Sequence, residues 1–211
     1  MLNTLRGRRG MVTAPHHLAA EAGLAVLRDG GNAIEAAIAA AATIAVVYPH
    51  MTALGGDGFW LISEPGETPI AIDASGTAAA LATPELYRAA GLDAIPTRGP
   101  LAALTVPGTI GGWQIALQHS ARLGGKLPLA RLLADAHHYA EQGYAATQSQ
   151  HLYTRTKLDG LAEQPGFADT YLPNGAVPQP GQVVRNPALA GMLARMAEAG
   201  LDDFYRGDIG A

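Results

Sequence analysis

The stretch that most limits what this chain can fold into is AIEAAIAAAATIAVV, Ala33–Val47, an alanine-rich apolar run interrupted by Glu35. It falls short of the roughly 20 apolar residues that span a bilayer, and it carries a charge, so it reads as a buried helix and no membrane role follows. Alanine is the best helix former, and a surface of methyl groups lets other backbones approach closely. Such a helix belongs in the middle of a layered fold. Asn32 stands where a residue capping its first turn would be. Upstream, PHHLAAEAGLAVLRDGG reads as a helix opened near Pro15 and stopped at Gly30 and Gly31. The apolar residues 11–14 before it read as a short strand.

The segment YPHMTALGGDGFWLI, residues 48–62, then places Gly55, Gly56, Asp57 and Gly58 between the apolar run and an aromatic strand. A glycine cluster means a tight turn or a backbone that comes close to something a side chain would block. GFWLISE and PIAIDAS, joined by the turn PGET, read as a hairpin, so the cluster leads into a sheet. A helix follows around TPELYRAAG. The proline- and glycine-rich IPTRGPLAALTVPGTIGGW reads as an ordered loop feeding a helix over 110–119. LPLARLLADAHHYAEQGY has the three-and-four spacing of an amphipathic helix. Residues 160–181 read as loop, and a last helix starts near Asn186 and stops at Gly200. No repeat and no linker divides the chain, so residues 1–211 read as a single mixed α/β domain.

Chemistry is constrained mainly by exclusion. The net charge of −4 and pI near 5.9 argue against nucleic acid, which asks for a concentrated basic surface. Arg6, Arg8 and Arg9 read as a solvated N-terminal tail. With no cysteine there is no disulfide, thiolate nucleophile or cysteine-bound metal. MLNTLRGRRG has no apolar core behind its charges, so no secretory signal is visible and a cytoplasmic location is expected. The glycine cluster has neither the spacing of a dinucleotide fingerprint nor the lysine of a P-loop, so it makes no phosphate site. Asp57 in it could orient a neighbour by accepting backbone hydrogen bonds.

The seven histidines form no HExxH pattern, and adjacent His137 and His138 on a helix point in different directions. His16, His17 and His50 sit at element boundaries, and no metal is assigned. DASGT around Ser75 is not the G-x-S-x-G elbow of a serine hydrolase, and Thr105 and Thr109 have no evident base. The residues by themselves describe an α/β domain without a complete nucleophile.

The order of four motifs, however, resembles the gamma-glutamyltransferase family of N-terminal nucleophile hydrolases. They are GMVTAPHHLAAEAGLAVLRDGGNAIEAAIAAA, VVYPHMTALGGDGFWLI, LTVPGTIGGW and DDFYRG, together spanning residues 10–207. The resemblance implies a four-layer αββα sandwich, incomplete here because only the first part of the large subunit is present. Its strands would pair with those of a small subunit made from the same precursor. It further implies a precursor that cleaves itself before a threonine, whose new amino group serves as base for its own hydroxyl. That threonine and the glycine amides of the oxyanion hole would lie beyond Ala211, so no catalytic residue is expected in this chain and no cofactor is needed. Gly55, Gly56, Asp57 and Gly58 would form a tight approach beneath the catalytic centre.

Within the family, the usual transpeptidases carry an arginine in a pattern like D.RE.AP, whose guanidinium holds the substrate's α-carboxylate bidentately. Here AIDASGTAAALAT places Ser75 at that position. IDASG, GGDGFWLI and RGPLAALTVPGT resemble the branch that includes oxamate amidohydrolase, an enzyme of purine-ring nitrogen salvage. Oxamate is a small amide carrying a carboxylate, so its site still needs a cation, and Arg98 in PTRGP is the candidate. Ser75 could supply a hydrogen bond in a smaller pocket. The alternatives are γ-glutamyl transfer, acylase action on a side-chain amide such as a cephalosporin precursor, and a non-catalytic binding module.

Overall fold

The computed structural model describes residues 4, 6–102 and 105–211. Its centre is the alanine-rich helix. Helix α1, His17–Arg28, begins at His16, whose Nδ1 accepts the Leu18 N–H at 3.2 Å in the role of an N-cap oxygen. Helix α2, Ala33–Val47, begins with a reciprocal cap. The Asn32 side-chain oxygen accepts from the Ile34 and Glu35 N–H groups at 3.1 and 3.0 Å, and the Glu35 carboxylate accepts the Asn32 N–H at 2.8 Å. The second Glu35 oxygen accepts the Leu127 N–H at 2.8 Å. Both oxygens of this carboxylate, only 2% exposed, are therefore used, which is the condition for burying a charge. Helix α1 crosses α2 at Gly23, where a Cβ would lie 2.8 Å from the Ala36 carbonyl oxygen.

Strands β1, Gly58–Ile62, and β2, Ile70–Ala74, form the antiparallel hairpin, in register from Gly58 opposite Ala74 to Ile62 opposite Ile70. Because side chains alternate along a strand, Gly58, Trp60, Ile62, Ile72 and Ala74 share the inner face. Phe59 and Leu61 stand on the other face, 71% and 77% exposed. After α3, Pro84–Ala89, capped by Thr83, comes α4, Thr109–Arg122, which packs on both hairpin strands and on α2. Helix α5, Leu129–Gln142, covers α2 as well. Strand β3, Tyr144–Ala145, helix α6, Gln148–Leu161, and helix α7, Phe167–Tyr171, lead to β4, Val183–Val184, which pairs with β3. Helix α8, Pro187–Ala199, capped by Asn186, lies on α5, and α9, Asp203–Arg206, follows.

The core joins α2, α4, α5, α8 and the inner hairpin face through Ile38, Ile110, Trp113, Leu133, Leu193 and Met196, all nearly inaccessible. Three expectations change. Residues 11–14 form no strand, because none of the described residues offers them a ladder partner. Residues 160–181 include α7. Helix α6 was not anticipated, since Gln150 and Thr154 are its only buried residues and no apolar stripe marks it. Among the described residues no helix is long and apolar enough to cross a membrane.

Candidate functional site

Three stretches of backbone meet where the glycine cluster enters the sheet: the turn at 55–58, the end of β2 at 74–76 and the lead into α4 at 106–109. The Gly56 carbonyl accepts from the Gly108 N–H at 3.1 Å, the Thr109 N–H at 3.0 Å and the Thr109 hydroxyl at 2.8 Å. That hydroxyl is also 2.8 Å from the Asp57 carbonyl, so its one proton is shared between two acceptors. From the other side, the Val106 N–H donates to the Thr77 carbonyl at 2.8 Å. Segment 106–109 is thus wedged between the two turns.

At its glycines the wedge leaves no easy room for a side chain. A Cβ on Gly108 would overlap the Ala74 carbonyl oxygen, and one on Gly76, at φ +80°, would overlap the Val106 carbonyl oxygen. At Gly58 it would lie 3.3 Å from the Thr109 Cα. Gly55 differs, because a Cβ there meets nothing within 4 Å. The Asp57 side chain is exposed, and it is the residue's carbonyl that holds a neighbour.

With glycine at the N-cap position 108, α4 has no side-chain cap of its own. The missing acceptor comes from Tyr205 on α9. Its hydroxyl accepts the Gly111 N–H at 2.8 Å and donates to the Pro107 carbonyl at 2.7 Å. Helix α9 is held by Asp203, which takes both arms of the Arg195 guanidinium at 2.8 and 3.1 Å. Those hydrogen bonds, ahead of simple charge attraction, keep the Asp203 carboxyl below the usual carboxylate range. Gly207 follows because a Cβ there would overlap the Asp203 carboxylate. Three positions of DDFYRG are thereby explained: Asp203 as an anchor, Tyr205 as a reaching hydroxyl, and Gly207 as room for the anchor.

Ser75 lies half-buried just after β2. Its N–H donates to the Asp73 carboxylate at 3.0 Å, and this bond, with a smaller contribution from the Ser75 hydroxyl, lowers the pKa of Asp73. Ser75, Asp73, Gln114, Pro107 and Tyr205 line an open groove of about 540 Å³ whose lining, among the described residues, includes no arginine or lysine. Arg98 is elsewhere: exposed, with its guanidinium over Gly160 of α6. The structure therefore brings Ser75 together with Gly56 and Gly58, through Gly108 and the Gly58–Ala74 pair, and leaves Arg98 outside the groove. Ala103 and Leu104, which belong to the quoted motifs RGPLAALTVPGT and LTVPGTIGGW, lie outside the described residues, as do residues 1–3 and 5 of the N-terminal segment.

Sequence reasoning missed Tyr205 and Thr109 as parts of this arrangement. Both stood inside quoted motifs, but nothing local showed that their hydroxyls reach across the fold. The histidines at element boundaries have structural partners. His16 caps α1, and His50 Nε2 sits 3.1 Å from the Ser149 hydroxyl at the start of α6. Burial lowers the pKa of both. Among the described residues no three His, Asp or Glu side chains are grouped to hold a metal ion.

The chain that forms this helical layer and hairpin matches known proteins over nearly its whole length. Residues 19–211 match the family model described as gamma-glutamyltranspeptidase, and the chain belongs to that family. It is 60% identical over 201 residues to the oxamate amidohydrolase proenzyme of Klebsiella pneumoniae, covering 95% of this chain and 38% of that protein. It is 39% identical to a glutathione hydrolase-like proenzyme of Bacillus subtilis, covering 99% of this chain and 39% of the relative. Among solved structures, the gamma-glutamyltranspeptidase of Helicobacter pylori superposes with a TM-score of 0.88 at 27% identity, covering 98% of this chain and 59% of that one. The chain thus spans under two-fifths of the length of these curated relatives.

Proposed function

We propose that this chain is the N-terminal part of the large subunit of an amide hydrolase that releases ammonia from oxamate or a similarly small amide. The observation that carries the reading is Ser75. It stands at the end of β2, in a groove whose lining, among the described residues, has no arginine or lysine, and the motif resemblance sets it where the usual transpeptidases carry a carboxylate-binding arginine. The 60% identity to an oxamate amidohydrolase proenzyme supports the same branch.

In this reading the nucleophile is a threonine of the small subunit, freed by self-cleavage, with its own amino group as base. Its hydroxyl attacks the amide carbon, ammonia leaves, and water then releases the acid from the acyl-enzyme. The exposed side chains of Phe59 and Leu61 form the face on which the partner subunit's sheet would pack. This chain contributes the platform at Gly55, Gly56, Asp57 and Gly58 and the Ser75 hydroxyl as a hydrogen-bonding group; Arg98, which lies outside the groove over Gly160, is the cation the reading names, and to serve it would have to reach the groove once the small subunit is in place. Arg98 is tested separately: a raised KM for oxamate in Arg98→Ala assigns it to the carboxylate, and an unchanged KM removes it from the site.

The deciding experiment takes the complete precursor, lets it process, and compares ammonia release from oxamate with cleavage of a chromogenic γ-glutamyl amide. Faster turnover of oxamate supports the reading. Turnover of the γ-glutamyl amide alone overturns it in favour of transpeptidase chemistry, and turnover of neither overturns it in favour of the acylase or binding alternatives.

A further inference from the structure

We propose that Tyr205 is a positioning residue for the Ser75 groove, a role that rests on the small-amide reading of that groove. Its single hydroxyl ties down both ends of residues 107–111, donating to the Pro107 carbonyl and accepting the Gly111 N–H. Between those ends lie the Gly108 and Thr109 amides that bind the Gly56 carbonyl, and Gly108 is also the residue pressed against the Ala74 carbonyl, next to Ser75. The position of the Ser75 turn is therefore set by a backbone segment that Tyr205 holds in place.

The usual alternative for holding a helix start is closed here. A side-chain cap at residue 108 would need a Cβ, and the approach of Ala74 forbids one. The capping oxygen must come from another element, and α9 delivers it already oriented, because Asp203 is locked to Arg195. Tyr205 also lines the groove itself, beside Ser75 and Gln114. Its ring packs edge-on against Phe204, with centroids 5.0 Å apart, and Tyr205→Phe leaves that packing in place while removing only the hydroxyl.

The test uses the complete, processed protein and reads two quantities. In Tyr205→Phe, KM for oxamate is expected to rise about fivefold to tenfold, the size of one or two neutral hydrogen bonds, with the loss falling on KM because Ser75 is a binding group. The Gly111 amide is expected to exchange with solvent deuterium about tenfold faster once its acceptor is gone. Gly111→Ala perturbs the same bond independently, since its Cβ would sit 3.3 Å from the Tyr205 hydroxyl, and it is expected to shift KM in the same direction by less. Faster Gly111 exchange with unchanged KM overturns the proposal by making the clamp purely structural, and unchanged exchange overturns it by removing the clamp. If the wild-type protein turns over only the γ-glutamyl amide, the oxamate reading has failed by itself. The role of Tyr205 is then judged by the same two readouts with that substrate.

Discussion

The helical centre around α2 and the backbone junction around Gly108 are both tightly packed, by opposite means. Around α2 side chains do the work: alanine methyls and large residues such as Leu133 and Leu193 fill space, and Glu35 ties the helix start to Leu127. At the junction the absence of side chains does it, and carbonyls, amides and one shared hydroxyl proton join three segments directly. In the first region, damage should scale with the volume or hydrogen bonds removed. In the second it should come from adding a single carbon.

The largest effect is expected at the junction. Gly108→Ala should destabilise the assembled protein by about 3–5 kcal/mol, at or beyond the top of the overpacking range, because the atom it meets is backbone and cannot rotate away. Gly55→Ala, in the same cluster, should change stability by no more than about 0.5 kcal/mol, since its Cβ enters open space. Urea unfolding of both variants checks this, and equal effects would break the distinction between the two glycines.

Next comes Leu133→Ala in α5, where deleting a nearly fully buried side chain should cost about 3 kcal/mol. A loss larger than that of Gly108→Ala in the same titration would reverse the comparison. Glu35→Gln should cost about 2 kcal/mol, because an amide keeps one acceptor and sets an N–H₂ group against one of two backbone N–H donors. A stability unchanged within error would show that the charge contributes nothing beyond shape.

The smallest effect is in pH dependence. His16 and His50 have folded-state pKa values below the ordinary 6.5, first because burial disfavours the charged form, and at His16 also because His17 is near. The unfolded chain therefore binds more protons, so their contribution is complete above about pH 6.5 and is lost as pH falls through that value toward the folded pKa. Protonation also removes the Nδ1 lone pair that caps α1. The melting temperature should drop from pH 7.5 to pH 5. His16→Asn, which keeps a capping oxygen without titrating, should flatten that drop. An identical slope in wild type and variant would remove His16 from the account.

Much of the helical centre was legible because its signals are local. Asn32 precedes an alanine-rich run, glycines follow the first helix, and the hairpin announces itself by two alternating segments around PGET. Helix α6 was illegible for the same reason, since its buried residues are polar. The site was legible only in part. Ser75 stood out against a family pattern, but nothing in the text near Arg98 says that its loop lies over Gly160. Nothing near residue 108 says that α4 takes its cap from Tyr205, 94 residues beyond the amide it serves.

By itself the sequence determined the period, caps and breaks of the main elements, because these depend on neighbours within one or two turns, and it carried the motifs by which the chain is recognised. The tertiary structure decided which glycines of the junction are obligatory, which oxygen caps α4, where the second Glu35 oxygen points and which side chains share a groove with Ser75. Those outcomes depend on how residues far apart in the sequence come into contact, and steric exclusion between such segments appears only once the chain has packed.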